Sequence, residues 1–127
     1  MNGFLLVALG GAIGATMRYG LGLAFTTHGG VSGAWAPLCV NVVGSFLLGG
    51  LMAWFASRDL AIENAIWLFF GVGMMGAFTT FSAFSRDTLH MFMTGEVTKG
   101  MIFIALNVIG ALAAFAVGLL VLRRLFT

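Results

Sequence analysis

Charge is scarce in this chain. Of 127 residues, six are Lys or Arg and four are Asp or Glu, 8% together, where an average soluble domain carries about 25%. So little polar surface excludes a soluble enzyme, a nucleic-acid-binding module and a disordered tail. Cysteine is scarcer still: Cys39 stands alone, which excludes a disulfide framework and a cysteine-built zinc site. The one proline, Pro37, falls where a helix tolerates it, at the first turn of an apolar stretch. The apolar stretches hold no pair of carboxylates and no nucleophile–base arrangement, so no enzyme is expected. His28 and His90 have no second ligand at metal spacing. The formal net charge of +2 is spread without a basic run and points to no acidic partner.

Apolar residues fill the space that charge leaves. They make up 61% of the chain, with a mean hydropathy of +1.09. Between the charged positions lie four long apolar stretches, at about 4–25, 36–56, 65–92 and 101–122, each long enough for the roughly 20 residues that cross a bilayer as a helix. Turn and breaker residues join them: Thr26-Thr27-His28-Gly29-Gly30, Ser57-Arg58-Asp59 and Thr94-Gly95-Glu96. Thr98 is a possible cap for the fourth. The opening Met1-Asn2-Gly3 carries no basic side chain, so no cleaved signal peptide is expected. The pattern predicts a single all-α integral membrane domain without repeats or linkers.

Four spans place both ends on one side, with Arg58, Arg123 and Arg124. Arg18, Arg86 and Lys99 fall nearer the other, a tie under the rule that sets orientation by Lys and Arg. Two outcomes stay open: one orientation wins on a small margin, or the chain inserts both ways up and meets itself antiparallel. Gly10 with Gly14, Ser45 with Gly49, and Gly110 with Ala114 have the spacing that lets helices approach closely. They serve packing within the chain or between copies, most simply in a two-fold dimer.

The third stretch is too long for one perpendicular helix, roughly 42 Å at 1.5 Å per residue. Tilt absorbs the excess in one reading. In the other, Gly71, Gly73, Gly76 and Thr79-Thr80 unwind a turn, whose freed carbonyls form a cation site. Gly71-Val72-Gly73-Met74-Met75-Gly76 spells a dinucleotide-binding fingerprint, but no strand precedes it and no crossover unit surrounds it. At helical spacing, Phe78, Phe81 and Phe84 run along one face, a stripe that can equally face lipid or core, and Thr79, Ser82 and Ser85 run along the next. Ring edges beside hydroxyl donors make a weak, dry cradle for a small anion.

Asn41 and Asn107 are the lone strongly polar residues of the second and fourth stretches. Each faces protein or a polar path, because an unpaired amide in hydrocarbon is costly. Ser45, four residues on, extends the line from Asn41. Arg18 either snorkels to the interface or lines a positive vestibule that draws anions. Arg86 and Asp87, being adjacent, point to different helix faces and need not pair.

Taken together, these residues resemble the Fluc (CrcB) family of fluoride channels along all four stretches. The resemblance rests on Gly10-Gly11-Ala12-Ile13-Gly14 with Arg18-Tyr19, on Val40-Asn41-Val42-Val43-Gly44, and on Asn107-Val108-Ile109-Gly110. Its most specific part is Gly76 followed by Thr79-Thr80-Phe81-Ser82-Ala83-Phe84-Ser85. Ala77 stands where the family commonly has a second glycine, Ala83 where it often has Thr, Asp87 for the usual Glu, and Ala111 for a Ser of the fourth-span path.

The resemblance implies a third helix broken mid-membrane and a dual-topology homodimer of antiparallel subunits with two fluoride pores. It implies a structural sodium ion held by the backbone carbonyls of Gly76 and Thr79. Phe81 and Phe84 would line the fluoride positions, helped by Asn41, Ser82, Thr80 and Asn107, with Arg18 near the vestibule. The implied work is passive, selective fluoride export across a bacterial inner membrane; the partners are the anion, lipid and a second copy, not nucleic acid. A small multidrug-type proton-coupled exporter is the alternative, but it needs a carboxylate inside the bundle, and only Asp87, near a membrane edge, is available.

Overall fold

The computed structural model describes residues 2–27 and 35–126. His28, Gly29 and Gly30 of the first connection lie outside the described residues, as does Met1. Four helical spans account for most of the rest: α1 over Gly3–Thr27, α2 over Trp35–Ser57, a composite third span over Trp67–Met93, and a final helix over Val97–Phe126. All four are long and apolar enough to cross a membrane, and their ends fall within a few residues of those expected. The third span consists of a π-helical segment, Trp67–Met75, one α-helical turn, α3, over Gly76–Phe78, and α4 over Phe81–Met93; the final helix is α5.

Local chemistry closes the connections. Gly95 adopts φ 80°, and the N–H groups of Gly95 and Glu96 return to Phe92 O and Met91 O. That arrangement satisfies the last carbonyls of α4 through a left-handed glycine. Thr98 lies inside the first turn of α5, which begins at Val97, so it is not the cap. Glu96 O accepts the Gly100 N–H at 2.9 Å, and the Glu96 carboxylate meets Lys99 at the surface.

Glycine sets the packing. α2 runs along α5, and α1 along the π-helical segment and α3. A Cβ at Gly10 would overlap Phe69 O, and one at Gly14 would overlap Met74 O, while one at Gly73 would press on Val7 O at 2.7 Å. Backbone therefore lies on backbone between α1 and the third span. Gly49 and Gly118 do the same between α2 and α5, against Phe115 O and Phe46 O. The Gly10/Gly14 pair and Gly49 are thus used inside the chain. Gly110 has only an ordinary contact, 3.5 Å to Val42. A small core of Phe84, Met91 and Phe103, with Leu38 and Ile104 against it, ties α4 to α5 and α2.

Large apolar side chains remain exposed along every span, among them Phe4, Leu47, Phe81, Leu112 and Leu125. Water would penalise that surface and lipid would not, as befits a multi-pass membrane protein.

Candidate functional site

Helical geometry stops at two residues. Thr79 has φ −75° and ψ 156°, and Thr80 has φ −151° and ψ 111°, both extended. In a continuous helix the Thr80 N–H would bond Gly76 O, and the Phe81 N–H would bond Ala77 O. Here Thr80 N–H donates to Asn41 Oδ1 at 2.7 Å, and Ala77 O accepts from Arg18 Nε at 3.0 Å. Thr80 in turn caps α4, its Oγ1 accepting the Ala83 N–H at 3.2 Å. The interruption is confined to these two residues; Gly71, Gly73 and Gly76, expected to unwind with them in one reading, stay in helical segments. Gly44 gives the break its seat, since a Cβ there would press on Thr79 Cγ2 and the Phe78 ring.

Asn41 links three elements. Besides accepting from Thr80, it donates through Nδ2 to Thr80 O at 3.1 Å and to Asn107 Oδ1 at 2.9 Å. Asn107 donates to Phe103 O at 3.0 Å. The two amides thus form an interhelical hydrogen bond, and both residues line the adjoining cavity. Both Asn41 N–H groups are taken within the chain.

That cavity, of about 370 Å³, brings together Asn41, Ser45, Thr79, Thr80, Phe81, Phe84 and Asn107. The Phe81 and Phe84 rings stand edge to face, 5.2 Å apart. Their surroundings differ: Phe84 is 7% exposed and packs on Phe103, whereas Phe81 is 75% exposed. Ala111 lines the same cavity and offers no hydroxyl. Ser82 stands outside its lining, exposed, with its Oγ 3.4 Å from Thr80 Oγ1.

The break overturns the continuous aromatic stripe. Phe78 precedes the extended residues and is buried at 2%, so it is not in line with Phe81 and Phe84. Thr79 lies in the break itself, so it is out of line with Ser82 and Ser85, which stay together on α4. Arg86 and Asp87, whose adjacency left pairing open, do pair, Arg86 Nε reaching Asp87 Oδ1 at 2.7 Å. Asp87 points inward and is buried, and the long arginine side chain bends round the helix to meet it. Among the described residues, Asp87 Oδ2 has no hydrogen-bond partner.

Arg18 and Arg86 line a smaller cavity of about 150 Å³, together with Thr80 and Ala83. Thr80 therefore borders both cavities. The sequence had offered snorkelling or a vestibule for Arg18; its hydrogen bond to the broken helix has no signature in the residue pattern.

Gly76 is exposed and Thr79 half-buried. Both carbonyls lose the donor a continuous helix would supply, since Thr80 N–H goes to Asn41 and Ala83 N–H to the Thr80 hydroxyl. Two such oxygens suit a hard monovalent cation. Among the described residues, no group of three His, Cys, Asp or Glu side chains gathers as an alternative metal site.

The model of the CrcB-like protein family, Camphor Resistance (CrcB), matches residues 5–119. This chain belongs to the CrcB family. Among its CrcB relatives, the fluoride-specific ion channel FluC of Hyphomonas neptunium is 41% identical over 126 residues, 99% of each chain. The protein of that name from Caulobacter vibrioides strain NA1000 is 40% identical over the same length and coverage. That from Thermus thermophilus is 43% identical over 103 residues, 81% of each chain.

Proposed function

We propose that this CrcB-family chain is a passive fluoride-selective channel that exports the anion and protects the cell against its toxicity. The observation that carries the reading is the cavity that two phenylalanine rings line together with the Asn41–Thr80–Asn107 polar cluster at a helix break. The name that its relatives bear adds the identity of the ion. Fluoride enters cells as neutral HF and ionises in a more alkaline cytoplasm, which traps it. An interior-negative potential then favours anion exit by about 2.3 kcal/mol per 100 mV, so a pore suffices.

Selectivity requires replacing the hydration of a small anion without holding it too tightly to leave. Ring edges, the Thr80 and Ser45 hydroxyls and the second Asn107 N–H are donors of that moderate kind. The Asn41 amide orients them, because its own donors are engaged. Arg18 and Arg86 raise the local anion concentration at the smaller cavity, and Thr80 is the residue an ion passes between the two. Ser82 adds a hydroxyl at the rim.

The active unit in this reading is an antiparallel, dual-topology homodimer in a bacterial inner membrane, with the break at mid-bilayer and two pores. The exposed Phe81 is then covered by the second copy. A sodium ion at the interface would be held by the Gly76 and Thr79 carbonyls and would supply fixed positive charge there. Proteoliposomes loaded with fluoride or chloride and opened with a potassium ionophore test the function: rapid fluoride release with chloride retained is expected. Release that needs a proton gradient would favour the exporter instead. A reporter fused to the C-terminus should be found on both sides of the membrane; one side only would remove the dual topology.

A further inference from the structure

Gly10, Gly14 and Arg18 share one face of α1, four residues apart. The two glycines bring α1 against the third span in steps: Gly10 at Phe69 and Met74, Gly14 at Met74 and Phe78. The next step places Arg18 beside Ala77, where its Nε–H donates to the Ala77 carbonyl at 3.0 Å. That carbonyl is the one the break deprives of the Phe81 N–H, and a buried acceptor left without a donor is costly where water is absent. We infer that Arg18 is a positioning residue, the C-terminal cap of the first half of the third span, and that its hydrogen bond holds the break in its extended shape.

The inference rests on the channel reading for its consequence and on geometry for its substance. Charge alone would give Arg18 only the work of drawing anions. Here one of its donors is committed to the backbone, so the guanidinium is pinned beside Thr80 at the smaller cavity and cannot follow an anion inward. Thr80 N–H and Ala83 N–H are held by Asn41 Oδ1 and Thr80 Oγ1, bonds that depend on the break keeping its path. Loss of the cap should therefore loosen residues 79–84 as a unit.

Side-chain length supplies the test. Gln Nε2 lies as many bonds from Cα as Arg Nε, so Arg18→Gln keeps the donor and removes the charge. Arg18→Met has similar length with neither, and Arg18→Lys keeps the charge with its donor one atom farther out. Amide hydrogen exchange of the full chain in micelles should be at least tenfold faster over residues 79–84 in Arg18→Met than in wild type. Arg18→Gln should stay within threefold of wild type. Fluoride efflux should fall several-fold in Arg18→Gln for want of charge, and at least tenfold further in Arg18→Met.

Equal exchange in the Gln and Met variants would overturn the inference. So would equally low flux in both with Arg18→Lys like wild type, which would leave charge as the whole role. An Arg18→Met chain that fails to fold while Arg18→Gln folds supports the cap, and failure of both overturns it. A wild-type chain that conducts no fluoride would end the channel reading, while the exchange comparison would still decide what Arg18 does.

Discussion

The side chain of Asn41 clamps the backbone of Thr80, accepting its N–H at 2.7 Å and donating to its carbonyl at 3.1 Å. A side-chain amide thereby does for an extended residue what a neighbouring strand would do. Its third bond, to Asn107, anchors the pair on α5.

Replacing Asn41 with Ala should cost about 2–4 kcal/mol, because it leaves the Thr80 N–H and C=O and the Asn107 oxygen without partners. Asn107→Ala should cost roughly half as much, since it breaks two bonds and leaves the Thr80 clamp whole. Unfolding in mixed micelles measures both. Equal costs would mean that Asn41 is not the centre of the network.

Gly14→Ala should destabilise the chain by about 1–3 kcal/mol, the usual penalty for overpacking. The new Cβ would fall on Met74 O and crowd the Phe78 nitrogen, and backbone cannot step aside as a flexible side chain does. Gly20→Ala is the control, as nothing lies within 4 Å of its Cβ, and it should stay within about 0.5 kcal/mol of wild type. Similar melting points for the two would show that α1 does not rely on close approach.

Phe81 and Phe84 should separate under mutation although they share a cavity. Phe81→Ile, at an exposed ring, should nearly abolish fluoride efflux while the subunit keeps its stability. Phe84→Ala should lose both, at a cost of about 3–5 kcal/mol, because Phe84 also packs on Phe103. Wild-type-like efflux from Phe81→Ile would remove that ring from the path.

Prolonged exchange of sodium for a large organic cation should slow efflux or loosen the dimer, if the Gly76 and Thr79 carbonyls hold the ion. Flux and oligomer size that ignore the exchange would count against that site.

Much of the architecture was legible in advance. Apolar runs long enough for a bilayer are a local property, and so are the turn residues that end them, which is why four spans could be read from the chain within a few residues. The choice between a tilted and a broken third span was not local. Gly71, Gly73 and Gly76 weaken a helix, but Thr79 and Thr80 leave it only because Asn41, 39 residues before Thr80, and Arg18, 59 residues before Ala77, take over its hydrogen bonds. The same distance defeated the aromatic stripe. Phe78 and Phe81 share a face in an unbroken helix and part company across two extended residues.

By itself, then, the sequence determined a four-span membrane bundle, the glycine pairs that let helices touch, and the residue types from which a weak anion site can be made. Tertiary structure decided where the helix breaks, that Asn41 gives its donors to the backbone, and that Arg18 and Asp87 have partners within the fold. Hydrophobic length and helix preference are set residue by residue, whereas a hydrogen bond released at one point goes to whichever donor the packed neighbours bring within 3 Å.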